Sequence, residues 1–450
     1  MKVFISLLVV LFLGLNVFSQ TTTRVSVDSN GIEADWHSSL PSISADGRYV
    51  AFESIATNLV PGDTNFDMDI FVNDQQTGKT TRVSVDSQGN QGLGIQGVDI
   101  SENPSISADG RYVVFGSYDI NLVPGDTNLA VDIFVHDQQT EKTTRVSVSS
   151  NGSQGNSSSE EPSISGDGRY VAFWSSASNL VPGDTNGKWD VFLHDQQTGE
   201  TTRVSVDSQG NEANGHSFGK TSISADGRYI AFQSSASNLV PNDTNGLGDV
   251  FVHDCQTGET TRLSIDSNGN QGNNSSSSSS SSISANGKYV AFSSSASNLV
   301  PNDTNGATDT FVHNRETGGT TRVSIDSNGN QGNSFSNFPS MSADGRYVAF
   351  TSNTSNLISN DTNGKLDVFV HDRQTGGTTR VSVDSNGNQG NNASYSSSIS
   401  ADSRYVAFIS EAFNLVPNDT NGSSDVFVHS RFQLSGTVLF EDGLTPVPDV

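Results

Sequence analysis

The chain has 450 residues, with 23 Lys and Arg against 49 Asp and Glu and a formal net charge of -26. That excess repels nucleic acid and anionic membrane surfaces, leaving cations and proteins with basic patches as natural partners. A single cysteine, Cys255, excludes an internal disulfide, so the fold is held by packing alone.

In chain order, Met1 and Lys2 precede an uncharged, mostly apolar run from Val3 to Val17, and the small Ser19 suits cleavage before Gln20. Residues 1–19 read as an export signal. The run is shorter than the ~20 residues a membrane span needs, and no later stretch is apolar enough to cross a bilayer. The expected location is therefore secreted, periplasmic or cell-surface, without membrane insertion after signal cleavage.

Self-similarity governs everything that follows. Thr-Thr-Arg recurs with its arginine at Arg24, Arg82, Arg145, Arg203, Arg262, Arg322 and Arg380, seven copies at roughly 60-residue spacing. Each copy holds four strand signals. In the first copy, Pro41 to Ser44 joins Tyr49 to Phe52 through Asp46-Gly47, a strong hairpin signal because glycine supplies the positive φ of a tight turn. Asp69 to Val72 and Thr80 to Val85 complete the set, and no stretch after the signal has helical spacing of apolar residues. These features predict an all-β, seven-bladed β-propeller of four-stranded antiparallel blades, because radial closure protects sheet edges that an open array would expose. The first strand, Thr22 to Val27, is of the fourth type, and the last copy lacks a fourth strand. The N-terminal strand is thus expected to close the ring.

The segment Ser42 to Phe52, followed by Asp69 to Val72, resembles the repeat of the TolB-like propellers, which are distantly related to WD-type repeats. The resemblance covers about residues 22 to 430 and places one propeller over 20–430, with Asn286 replacing the turn aspartate in copy five and Ser403 the turn glycine in copy seven. It implies a scaffold for binding rather than one ligand. Residues 433–450 resemble the start of a carboxypeptidase-regulatory-like or Cna-B-type β-sandwich, too short to bury a core of its own.

An antiparallel meander places the turns between strands one and two and between three and four on one face, and all long connections on the other. On that long-loop face each copy carries Asp-Thr-Asn and an aspartate six residues after the first. The sets are Asp63, Asn65, Asp69; Asp126, Asn128, Asp132; Asp184, Asn186, Asp190; Asp243, Asn245, Asp249; Asp303, Asn305, Asp309; Asp361, Asn363, Asp367; and Asp419, Asn421, Asp425. Two readings fit. Hard oxygen ligands at this spacing are what Ca²⁺ loops use, and the motif is similar to the later positions of integrin-type propeller loops, although Pro301 stands where their first aspartate would be. The same residues also build Asx turns and cap strand ends unaided.

Six histidines, His136, His194, His253, His313, His371 and His429, share one repeat position, where copy one has Asn73; that repetition points to packing or a hydrogen bond, not a catalytic centre. Arg48 and Arg82 are expected to pair with aspartates. Catalysis would need a break in symmetry. The non-repeating candidates on the long-loop face are Asp35, Trp36 and His37; Tyr118 and Asp119; Trp174 and Trp189; His216 and Phe218; Phe335 and Phe338. The leading expectation is a non-catalytic module that binds a protein or glycan there. A propeller-based glycan lyase or hydrolase, and a structural spacer, are the alternatives.

Overall fold

The computed structural model describes residues 20–93 and 101–431; the expected export signal and the start of a second domain lie outside the described residues. Those residues form seven four-stranded antiparallel sheets, and none of their helices is long and apolar enough to cross a membrane. Blade 1 runs Ser38–Ile43, Tyr49–Ser54, Asp69–Asp74 and Lys79–Arg82, each strand paired with the next. Blades 2 to 6 open at Ser101, Ser159, Ser217, Ser276 and Ser336. Blade 7 joins Ser394–Ile399, Tyr405–Ser410 and Asp425–Ser430 to Thr21–Arg24 from the other end of the sequence. Thr21 lies opposite Ser430 and Arg24 opposite Phe427, so the N-terminal strand closes the ring as expected.

The second and third strands read as continuous apolar runs because both faces of each blade are covered by neighbours. One core cluster, for example, joins Val114, Ile133, Val135 and Val146 of blade 2 to Ile164, Val171, Phe173 and Phe192 of blade 3. Every blade contributes one phenylalanine pair, such as Phe52 and Phe71 with ring centroids 5.8 Å apart. Each buried ring is worth roughly 2–3 kcal/mol. The fourth strand stops at Arg82, short of the expected Val85, because a side chain replaces the ladder. Ser84 Oγ accepts the Ile70 N–H at 3.0 Å and donates to Asp69.

First strands of adjacent blades touch one another all round the disc and so line its axis. On the short-turn face the hairpin glycine is needed twice over. Gly47 has φ +77°, and a Cβ there would stand 2.1 Å from the Tyr405 ring of the preceding blade. Just before these turns, backbone hydrogen bonds run from blade to blade: Ala45 N to Ala108 O (3.0 Å), Ala108 to Gly166 (3.0 Å), Gly166 to Ala225 (3.0 Å), Ala225 to Ala285 (3.1 Å), Ala285 to Ala343 (2.9 Å) and Ala343 to Ala401 (3.1 Å). At the joint between blades 7 and 1 the donor is Asp402 N, one residue on, at 3.4 Å from Ala45 O.

Candidate functional site

The two faces of the disc differ in kind. Ile32, Trp36, Phe66, Leu93, Ile120, Leu129, Trp189, Phe335 and Phe413 are the exposed large hydrophobic residues among those described, and all nine fall on connections of the long-loop face. Most lie on blades 7, 1 and 2, whose loops are tied together by bonds such as Leu93 N to Asn121 Oδ1 (3.0 Å) and Asp35 N to Asn58 Oδ1 (3.0 Å). Phe66 and Leu129 occupy the position after the Asp-Thr-Asn asparagine that the other five copies give to glycine. They adopt φ of 60° and 53° there and remain 79% and 73% exposed. A left-handed conformation costs a non-glycine residue ~1–2 kcal/mol, so neither side chain is placed for stability.

The repeated acidic loops converge on an arginine. In blade 1, Arg82 Nη1 lies 3.2 Å from Asp63 and 3.1 Å from Asp69; in blade 2, Arg145 lies 3.2 Å from Asp126 and 3.3 Å from Asp132. Arg203, Arg262, Arg322 and Arg380 bridge Asp184/Asp190, Asp243/Asp249, Asp303/Asp309 and Asp361/Asp367 in the same way, at 3.2–3.9 Å. In blade 7, Arg24 reaches across the closing strand to Asp419 (3.5 Å) and Asp425 (3.1 Å). Burial, then the neighbouring carboxylate, pushes Asp63 and Asp419 up to about 6.

In six of the seven sets the asparagine turns its amide nitrogen, not its oxygen, toward the last aspartate, Asn363 being the exception. Asn186 Nδ2 donates to Asp190 at 2.9 Å and to Ala213 O at 3.1 Å, while its Oδ1 accepts Lys188 N–H at 2.7 Å. That is an Asx turn. With guanidinium between the carboxylates and the amide oxygen spent on backbone, the arrangement fits an ion-paired turn better than a Ca²⁺ cage, which draws six to eight oxygens onto one ion. A glutamine completes several sets; Gln331 Nε2 bonds both Asp303 (2.8 Å) and Asp309 (2.9 Å). Glu33 and Glu212 replace it in blades 7 and 3, at 2.6 Å from Arg24 and 3.0 Å from Arg203. Oxygens of Glu33, Asp419 and Asp425 all lie within 4.8 Å of one another, the strongest acidic cluster for a cation among the described residues. Spacing alone identified the aspartates but not the glutamine or glutamate nine residues after each Thr-Thr-Arg arginine, although that position also repeats.

The six repeated histidines join blades. His136 Nδ1 lies 2.9 Å from Thr143 Oγ1, and that hydroxyl donates to Val85 O of the preceding blade. The hydroxyl proton is thereby committed, so the imidazole must donate from Nδ1. Copy one makes the same bond from Asn73 Nδ2 to Thr80 Oγ1, at 2.9 Å. Burial lowers all six histidines, His313, His371 and His429 to about 4. A folded pKa below the ordinary ~6.5 means the unfolded chain binds protons first. The histidine contribution is therefore complete above about pH 6.5 and is lost as pH falls toward about 4. The raised Asp63 and Asp419 slope the opposite way, losing stability as pH rises through about 6. His371→Asn should keep the bond, as Asn73 does, and make the fall in melting temperature between pH 6.5 and 4.5 shallower. An unchanged acid limb would remove the histidines as its cause.

His37 and His216 turn out to be equivalents, each directly before the first strand of its blade. Their Nδ1 atoms accept the backbone N–H of Ser424 and Trp189, both at 3.2 Å. Asp35 holds Thr57 through two bonds of 2.8 Å and so organises its loop. Asp119 is buried, its N–H donating to Ser117 Oγ at 3.0 Å. Phe338 belongs to a recurring bulge in the first strands, where Leu40, Asn103, Glu161, Phe338 and Ser396 all have φ of 44–56°. Trp174 and Trp189 stack 5.1 Å apart, and Trp189 meets His216 and Phe218 at 4.9 and 5.9 Å. No comparable cluster forms among Tyr118, Asp119, Phe335 and Phe338.

No protein-family model matches this chain, and no curated protein matches it in sequence. Among solved structures it is similar to an oligogalacturonate lyase in complex with manganese, at 12% identity and TM-score 0.52, covering 92% of this chain and 94% of that one. The β-propeller domain of the Trilobed protease from Pyrococcus furiosus, described as having an open velcro topology, matches at 11% identity and TM-score 0.52, covering 88% and 94%. TolB from Acinetobacter baumannii also matches, at 15% identity and TM-score 0.39 over 70% of this chain; the chain spans 59% of that TolB's length. At such identities the likeness is one of fold: a β-propeller found also in a lyase and in a domain of a protease.

Proposed function

We propose that the chain is a non-catalytic binding module of a secreted or cell-surface protein and that it engages a protein or glycan through the long-loop face. The observation that carries this reading is the confinement of every exposed large hydrophobic residue, among those described, to that face. Exposed apolar residues gathered on one face and absent from the other are what an interaction surface presents. The strained Phe66 and Leu129 strengthen it, since five sister loops use glycine at the same position without left-handed strain.

The test compares two sets of variants in the full chain: Phe66→Gly with Leu129→Gly on one face, and Lys79→Ser with Lys142→Ser on the other. Retention on the producing cells, and binding to any partner purified from their envelope, should fall at least tenfold in the first set and persist in the second. The glycines should leave the melting temperature unchanged or slightly higher, because relief of left-handed strain offsets the ~0.5–1 kcal/mol entropic cost of glycine. Equal binding by both sets would remove the long-loop face as the site. Turnover of a glycan or peptide abolished by substituting His37 or His216 would replace the reading with an enzymatic one.

A further inference from the structure

We infer that the boundary of blades 3 and 4 is a subsite for a neutral sugar chain, with Trp189 as stacking platform, Trp174 as the ring supporting it, and His216 and Glu160 as its polar rim. The inference rests on the binding reading above and names the ligand class for one part of that face.

Six other boundaries show that packing does not require these aromatic residues. At the position of Trp174 the other blades carry Glu53, Gly116, Gln233, Ser293, Thr351 and Ile409; at that of Trp189 they carry Met68, Val131, Gly248, Thr308, Leu366 and Ser424. The same joint is thus built repeatedly without an indole pair. Here Trp189 is 40% exposed, yet it is held rigidly: stacked on Trp174, with the edges of His216 and Phe218 against it. The backbone N–H of Trp189 donates to His216 Nδ1 at 3.2 Å, so the neutral imidazole carries its proton on Nε2, as a donor.

Beneath the platform, Trp174 Nε1 is buried without a hydrogen-bond partner. Glu160 lies directly across from Trp174 on the neighbouring strand, and Glu161 follows at the strained bulge, facing the charge of Lys220. Burial raises both carboxyl groups.

An indole face, with its negative quadrupole, attracts the C–H face of a pyranose, while the hydroxyl rim of that ring donates and accepts at once. Carboxylates to accept and N–H groups to donate are what such a rim needs. A peptide side chain would fill the apolar part but leave the mixed polar rim unmatched. Charge settles the kind of sugar. Glu160 and Glu161 balance Lys188 and Lys220, so the boundary offers no net positive charge, and a chain of net charge -26 disfavours a uronate or sulfated ligand.

Three tryptophans in all make the test direct. In the full chain with Trp36→Phe, indole emission comes from Trp174 and Trp189 alone. Titration with tetrasaccharides of glucose, mannose and galactose, and with tetragalacturonate as the charged counterpart, is followed by fluorescence and calorimetry. At least one neutral tetrasaccharide should shift the emission saturably and bind at least tenfold more tightly than tetragalacturonate. Trp189→Ala should abolish the calorimetric binding with the melting temperature retained. Trp174→Ala removes the ring that supports the platform and should weaken binding severalfold. Absence of neutral-sugar binding, binding that survives Trp189→Ala, or a preference for tetragalacturonate would each overturn the inference. The blade 1 and 2 variants probe a separate area, so loss of sugar binding here with face-dependent partner binding intact would sink this subsite and leave the module reading standing.

Discussion

Removal of Thr21 to Val27 should lower the melting temperature by on the order of 10 °C and drive the protein into aggregates. The strand carries more than four ladder residues. Val25 is fully buried, Thr22 Oγ1 bridges His429 and Val383 O, and Arg24 is the counter-charge of Asp419 and Asp425. Deleting one partner of a buried ion pair costs about 3–5 kcal/mol, and losing a buried valine adds roughly 1.5 kcal/mol or more. The deletion also bares the third strand of blade 7 along its whole edge, a template for pairing with other chains. Calorimetry and light scattering of the truncated chain are the measurements. A deletion protein as stable and monomeric as the parent would show that the ring does not depend on this closure.

Arg322→Met should be nearly as damaging, through electrostatics alone. It leaves Asp303 and Asp309 facing one another without their guanidinium, with Asp309 fully buried, at an expected cost of about 3–5 kcal/mol. Adding Asp309→Asn should return part of that loss, because the repulsion goes with the second charge. The same variant tests the calcium reading of the loops. Carboxylates freed of arginine are hard oxygen ligands, so millimolar Ca²⁺ should raise the melting temperature of Arg322→Met more than that of the parent, and chelator should reverse it. A calcium shift of the parent that disappears in Asp303→Ala with Asp309→Ala would assign ions to the loops with arginine in place. No shift in either protein would leave them as ion-paired turns.

The repeat made the architecture legible because each copy spells the same four strands, and the missing last strand pointed directly at the first one. Strand ends were less legible. Ser84 ends the fourth strand with a side-chain bond that mimics the ladder, which a β-rich run such as Thr80 to Val85 does not reveal. The acidic loops were legible as ligand-like spacing and Arg82 as a partner of aspartates, but not that the two meet: the arginine lies 13 residues after the last aspartate in blades 1 to 6, and in blade 7 it is Arg24 from the other end of the sequence. The aromatic cluster was visible as four separate irregularities. Only the ring geometry brings Trp174 and Trp189 of one blade against His216 and Phe218 of the next.

The belt of backbone hydrogen bonds around the axis has one imperfect joint. Six links span 2.9–3.1 Å between equivalent residues; the seventh slips by one residue and stretches to 3.4 Å, beside Ser403, which holds φ of 63° where the other hairpins have glycine. The disc is therefore a split washer rather than a seamless one. Its gap lies beside the blade from which both ends of the described chain emerge, so tension from flanking segments would load that joint first. Amide exchange should register it at rest, with Asp402 N–H opening ahead of the other six links, and a ligand spanning blades 7 and 1 would act as a clasp.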